Sequence, residues 1–185
     1  MFFSLFDRLC YIIQHKNANF ANMEETNIIK QPLVGMTLAQ LREVVSQLGM
    51  PRFTATQLAQ WLYVHRAKSF DEMNNISKAN RAKLQQHFTI GLDAPCNEQR
   101  SVDGTVKYLF MTGKNQAVES VYIPDDDRAT LCISSQMGCK MNCHFCMTGK
   151  QGFHGNLTAN QIINQVLSIP ESQTLTNVVF MGMGE

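Results

Sequence analysis

The chain has 185 residues, with 16 Lys and Arg against 15 Asp and Glu, for a formal net charge of +1. An apolar content of 44% and a mean hydropathy of -0.16 are those of a soluble globular protein holding one medium domain or two small ones. So small a net charge does not advertise a nucleic-acid partner, although local basic patches are compatible with it.

The first residues, from Met1 to Gln14, are apolar but have no basic region ahead of the apolar stretch, and Asp7 and Arg8 interrupt it. The run is far shorter than the roughly 20 apolar residues of a spanning helix. Residues 1–34 are expected to form a disordered or amphipathic leader; alternatively Met23 opens the protein and residues 1–22 precede its true start. The expected location is the cytoplasm, with no membrane association. The six cysteines agree with that. Cys10 and Cys96 stand alone, whereas Cys132, Cys139, Cys143 and Cys146 crowd into one short stretch. Secreted disulfide scaffolds are usually smaller and spread their cysteines, so this clustering points to metal ligation or thiol chemistry.

From residue 35 to 95 the pattern is helical. Thr37 with Gln40 makes a capping box, Leu38, Leu41, Val45 and Leu48 form an apolar face, and Gly49 and Pro51 end the helix. A second helix is expected from about Thr56 to Arg66, with Leu58, Trp61, Leu62 and His65 on one side. Ser77 caps a third, which offers Ala79, Ala82, Leu84 and Phe88 for packing. Modules of this kind can bind nucleic acid but more often only pack.

Residues 96–127 switch to a period of two. Val106 to Met111 and Ala117 to Ile123 read as an antiparallel hairpin turning at Thr112 to Asn115 and closed by Pro124. The acidic run Asp125-Asp126-Asp127 reads as a solvated loop. From 128 to 185 the order is strand (Ala129 to Ser134), cysteine loop, helix capped by Thr158, and a continuous apolar strand from Thr176 to Met181. The apolar face of that helix includes Ile162, Ile163, Val166 and Leu167. Such a βαβ unit belongs to a parallel sheet, which needs several of them. The expected fold is therefore α/β: a small helical domain, a β-hairpin linker, and the start of a partial (β/α) barrel cut off after its second parallel strand.

The chemistry concentrates in Cys139, Cys143 and Cys146, spaced x3 then x2. Three soft thiolates can ligate three irons of a [4Fe–4S] cubane and leave the fourth open for the amino and carboxylate groups of S-adenosyl-L-methionine (SAM). One electron then yields an adenosyl radical. Phe145, just before the last cysteine, suits packing against the adenine of SAM. A structural zinc site is the competing reading, with Cys132 or His144 as a fourth ligand. A strand-to-helix setting argues against it, since zinc ribbons show paired hairpins. Gly182-Met183-Gly184-Glu185, at the carboxyl end of the next strand, strengthens the cofactor reading. His144 and His154 read as hydrogen-bonding loop residues. Lys150 follows Gly149 but lacks the upstream glycines of a phosphate loop.

Several stretches resemble the RlmN/Cfr family of radical SAM RNA methyltransferases: Arg128 to Cys139 (RATLCISSQMGC), Cys143 to Phe153 (CHFCMTGKQGF) and Asn177 to Glu185 (NVVFMGMGE). Leu48 to Phe53 and Gln60 to Tyr63 in the helical part continue the likeness, which runs from about Gly35 onward and lies closer to the RlmN branch. The resemblance implies methylation of carbon 2 of an adenine in 23S rRNA and tRNA through a methyl-cysteine intermediate. The Cfr branch instead methylates carbon 8. It implies that Cys139, Cys143 and Cys146 hold the cluster, that Gly184 and Glu185 contact SAM, that Cys132 is the disulfide-forming resolving cysteine, and that Glu119 accepts the ring proton. It further implies an electron donor such as flavodoxin and a monomer. Neither Cys10 nor Cys96 matches the family's methyl-carrying cysteine, so the chain is expected to be a fragment that is inactive alone. A non-catalytic zinc-binding RNA module is the remaining alternative.

Overall fold

The computed structural model describes residues 30–113 and 115–184. Cys10 and Met23 of the expected leader, Lys114 of the hairpin turn, and Glu185 lie outside the described residues.

The described chain opens with β1 (Gln31–Pro32), which pairs in parallel with β2 (Phe88–Thr89). Leu33 and Val34 follow, fully buried, and their amides donate to the carbonyls of Thr89 and Ile90 at 2.9 Å. Residues 31–34, at the end of the expected leader, pair and pack here, because Leu33 and Val34 belong to the helical core. In α1 (Leu38–Gln47) the Thr37 hydroxyl accepts from the Gln40 amide, and the Gln40 side chain accepts from the Thr37 amide at 2.8 Å. Leu41, Val44 and Val45 are buried, while Leu38, expected on that face, is exposed. Gly49, at φ +64°, ends the helix as expected.

The second helix starts slightly earlier than expected and changes its winding. α2 (Thr54–Ala59) runs into a π turn at Gln60–Val64, where the His65 amide reaches back to the Gln60 carbonyl. Leu58 and Leu62 point into the core. The Trp61 indole donates to Asn75 Oδ1 at 2.6 Å, and its ring lies 4.6 Å from that of His65. α3 (Lys78–His87) is capped by Ser77 but packs through Leu84, its one buried residue. Ala79 and Ala82 are exposed, contrary to expectation, because this mostly polar helix lies against the module along one line only.

Beyond this module lies a sheet of five strands. β4 (Val106–Gly113) and β5 (Gln116–Pro124) form the expected hairpin, with Phe110 opposite Val118. β3 (Asn97–Arg100), four exposed polar residues, joins the edge of β4. No apolar alternation marks it, since its backbone pairing holds it. The hairpin is no free linker: β5 pairs directly with β6 (Ala129–Cys132), and β6 pairs in parallel with β9 (Asn177–Val179). β9 is shorter than the expected buried run. Val178, Phe180 and Met181 are exposed, because among the described residues the strand has a neighbour on one side only.

α5 (Ala159–Leu167), capped by Thr158 and Gln161, crosses from β6 to β9 and joins the two parts. Its four aliphatic residues form two adjacent ridges instead of one face. Ile162 and Val166 pack on the sheet core of Val106, Tyr108, Val118, Leu131 and Ile133. Ile163 and Leu167 pack on the helical core. Full burial of such a side chain stabilises by about 1.5–3 kcal/mol, and these four, partly buried, each contribute less. Asn160 adds hydrogen bonds to the Val34 and Gly91 carbonyls, and Arg66 donates to Ser172 at 2.7 Å. Among the described residues no helix is long and apolar enough to cross a membrane.

Candidate active site

The cysteine loop is held by a ribbon that the sequence did not announce. β7 (Gln136–Gly138) pairs antiparallel with β8 (Phe153–Asn156), and Cys139 to Gly152 bulge out between them. The expected direct passage from strand to loop to helix is therefore corrected. Two glycines make the closure possible. A Cβ on Gly138, whose φ is +74°, would fall 1.7 Å from the Gly152 carbonyl oxygen, which accepts from the Cys139 amide at 3.1 Å. A Cβ on Gly149 would press on the backbone of Cys143 at 2.9 Å. The Cys146 amide donates to the Cys143 carbonyl, and Cys146 then opens the one-turn helix α4 (Met147–Lys150).

All three loop cysteines are half-buried free thiols. Hydrogen bonding from the Gly149 amide, aided by the amide and hydroxyl of Thr148, lowers the pKa of the Cys146 thiol. Among the described residues no group of three or more His, Cys, Asp or Glu side chains is gathered as a metal site. The donor set nevertheless fits an iron–sulfur cluster by its chemistry: three thiols on one clamped loop, one of them biased toward thiolate. Cys132, the other cysteine near this stretch, lies in β6, and His144 is exposed on the loop. His154 Nε2 lies 3.0 Å from the Gln151 carbonyl, in the hydrogen-bonding role expected of it.

Register places Cys132 and Glu119 on one face of the sheet. Val118, Ser120, Leu131 and Ile133 point into the core beneath α5, so the alternate residues Glu119, Val121 and Cys132 take the opposite face. Cys132 stands between Val121 of β5 and Val179 of β9. Glu119 lies two residues along β5 from Val121, and its Oε1 is 3.2 Å from Lys107 Nζ. Lys107 was not singled out in the sequence.

The segment after β9 crosses the end of β6 at close range. The Gly182 amide donates to the Ile133 carbonyl, and the Met183 carbonyl accepts from the amides of Ser135 and Gln136. A Cβ on Gly182 would meet Ser134 Oγ at 2.7 Å, and one on Gly184 would meet the Gln136 side chain at 2.5 Å. The glycines therefore let this segment lie on the stretch that leads into β7 and Cys139. Phe145 is 91% exposed on the loop. Sequence reasoning also missed the fully buried Ser134 and Gln165 at this crossing. The available signal was the polar pair Asn164-Gln165 set between Ile162-Ile163 and Val166-Leu167.

Known proteins resemble this chain in sequence and fold. Residues 31–90 match the family described as "Ribosomal RNA large subunit methyltransferase N-terminal domain". A Bacteroides thetaiotaomicron protein named "Probable dual-specificity RNA methyltransferase RlmN" is 64% identical over 84% of this chain and 45% of its own length. The chain belongs to the RlmN family. A Marinomonas protein named "Dual-specificity RNA methyltransferase RlmN" is 46% identical over 86% of the chain and 46% of its own length. The crystal structure of a radical SAM methyltransferase from Sphaerobacter thermophilus superposes with a TM-score of 0.76 at 38% identity, covering 84% of this chain and 47% of that one. The chain thus spans about 45% of the RlmN relative from Bacteroides thetaiotaomicron.

Proposed function

We propose that this chain is the RNA-facing and cluster-binding part of a cytoplasmic radical SAM enzyme that methylates carbon 2 of adenine in 23S rRNA and tRNA. The observation that carries the reading is one of position. The three-cysteine loop follows β6, the Gly182–Gly184 segment follows β9, and ligands of parallel sheets bind at these carboxyl ends. Support for an RNA substrate comes from the names of the relatives. It also comes from residues 31–90, where seven Lys and Arg face three Asp and Glu while the whole chain is nearly balanced.

In this reading Cys139, Cys143 and Cys146 hold a [4Fe–4S] cluster, which when bound supplies the electron that cleaves a carbon–sulfur bond of SAM. The electron comes from a donor such as flavodoxin. Phe145 would pack against the adenine of SAM, and the Gly184-Glu185 pair would bind its amino group. Cys132 is the resolving thiol and Glu119 the acceptor of the ring proton. Both stand on the sheet face away from α5, and Lys107 steadies the Glu119 carboxylate through its ion pair. The methylated carbon lies between two ring nitrogens and is too electron-poor to attack the SAM methyl directly, which calls for radical chemistry; the methyl-cysteine intermediate is what the family resemblance implies.

The test is anaerobic reconstitution of the chain with iron and sulfide, followed by EPR of the reduced cluster with and without SAM. A [4Fe–4S] signal that shifts on adding SAM is expected. Zinc uptake without iron would overturn the reading in favour of a structural RNA-binding module.

A further inference from the structure

One polar pair is buried where the site segments meet. Ser134 and Gln165 are each 0% exposed, in a region otherwise packed with aliphatic side chains. The Gln165 carboxamide satisfies both sides of Ser134: its Oε1 accepts from the Ser134 amide at 2.9 Å, and its Nε2 donates to the Ser134 carbonyl at 3.0 Å. These bonds replace the sheet ladder that β6 leaves at Cys132, and they fix Ser134 to α5. Its hydroxyl is then aimed two ways. Ser134 Oγ donates to the Glu119 carbonyl at 2.6 Å and accepts from the Met183 amide at 2.8 Å.

A hydroxyl that gives its one proton to Glu119 and takes one from Met183 has its direction fully determined. It links the strand that carries Glu119 to the segment that carries Gly184. We propose that Ser134 and Gln165 are positioning residues that set the Gly182–Gly184 segment for SAM and register it against Glu119. This rests on the cofactor reading above. A packing role alone would be met by an apolar pair. What the sheet cannot supply is a joint between β5 and a chain that has already passed the end of β9.

Ser134→Ala in the full chain removes the joint and leaves the three cysteines untouched. Three quantities are read: iron and sulfide content, site-resolved amide exchange, and the SAM concentration that half-shifts the EPR signal. Iron content is expected to stay at the wild-type value and Tm to fall only by a few degrees, while Met183 amide exchange and the half-saturating SAM concentration each rise by about tenfold, the scale of one lost hydrogen bond. Gln165→Met, uncharged and of similar length, removes both bonds to the Ser134 backbone and places no charge in the core. It is expected to give the same pattern at smaller amplitude, and it serves if Ser134→Ala does not fold. Met183 exchange and SAM response within about twofold of wild type in the folded variants would overturn the proposal, given the scale expected for this bond. So would a loss of Tm and iron content in step with the SAM response, which marks a merely structural role. A wild-type chain whose cluster ignores SAM sinks the cofactor reading and this inference with it. A responsive wild type with an equally responsive Ser134→Ala sinks the inference alone.

Discussion

The helical module and the cysteine loop are built on opposite plans. The module hides a continuous set of aliphatic residues, among them Leu33, Leu41, Leu58, Leu62 and Leu84, so its shape follows from side chains seeking each other. The loop has little to bury. Met141, Phe145, Met147 and Phe153 all point outward, and the loop keeps its form because Gly138 and Gly149 let backbone touch backbone. One region is specified by what its residues have and the other by what its glycines lack. Substitutions should therefore fail differently in the two. Trp61, the single tryptophan, sits in the module and reports on it alone, while iron absorbance reports on the loop.

The largest effect belongs to the proposed ligands. Cys143→Ala is expected to abolish cluster assembly while leaving Trp61 fluorescence unchanged, and a full [4Fe–4S] spectrum in that variant would break the ligand assignment. Gly138→Ala comes next. Its Cβ would strike the Gly152 carbonyl at a backbone angle that L-residues rarely adopt, so the ribbon must open or shift. Iron uptake measured after reconstitution should drop severely with no change in the module's unfolding transition. Normal uptake would mean that the ribbon does not clamp the loop.

This difference also decides how much could be read from the sequence. The caps at Thr37, Ser77 and Thr158 and the β4–β5 hairpin are local patterns, and local patterns survive into the fold. The three-cysteine spacing is legible for the same reason. β3 is not, because four polar residues become a strand only through the neighbour they pair with. The β7–β8 ribbon escapes notice because its two strands flank fourteen loop residues and carry no alternation. α5 departs from its sequence pattern in one respect. Its aliphatic positions face two cores on adjacent ridges, and a periodicity cannot say how many partners a stripe has. Ser134 stays hidden because its value lies in the direction of one hydroxyl.

A core substitution sharpens the comparison from the other side. Leu62 is fully buried in the π turn, and Leu62→Ala should destabilise by about 2–5 kcal/mol through lost transfer energy and a residual cavity. The denaturant midpoint read at Trp61 should fall, while iron uptake by the native chain should hold. Coupled loss of iron uptake under native conditions would show that α5, shared by both cores through Ile163 and Ile162, transmits the damage.

The smallest effect is a shift along the pH axis between two thiols. Cys146 accepts from the Gly149 amide, with the amide and hydroxyl of Thr148 assisting, and these bonds favour its thiolate against some desolvation. Cys96 sits just ahead of β3, where desolvation raises its pKa, although its own amide partly offsets this. Alkylation follows the thiolate, so a lowered pKa moves the rate profile to lower pH and a raised one moves it higher. In the reduced, metal-free chain, iodoacetamide labelling resolved by mass spectrometry should reach half its maximal rate at lower pH for Cys146 than for Cys96. Thr148→Val removes the hydroxyl and should narrow the gap without closing it, because the Gly149 amide, the larger cause, remains. The reverse order would mean that the loop does not hold Cys146 ready as a ligand.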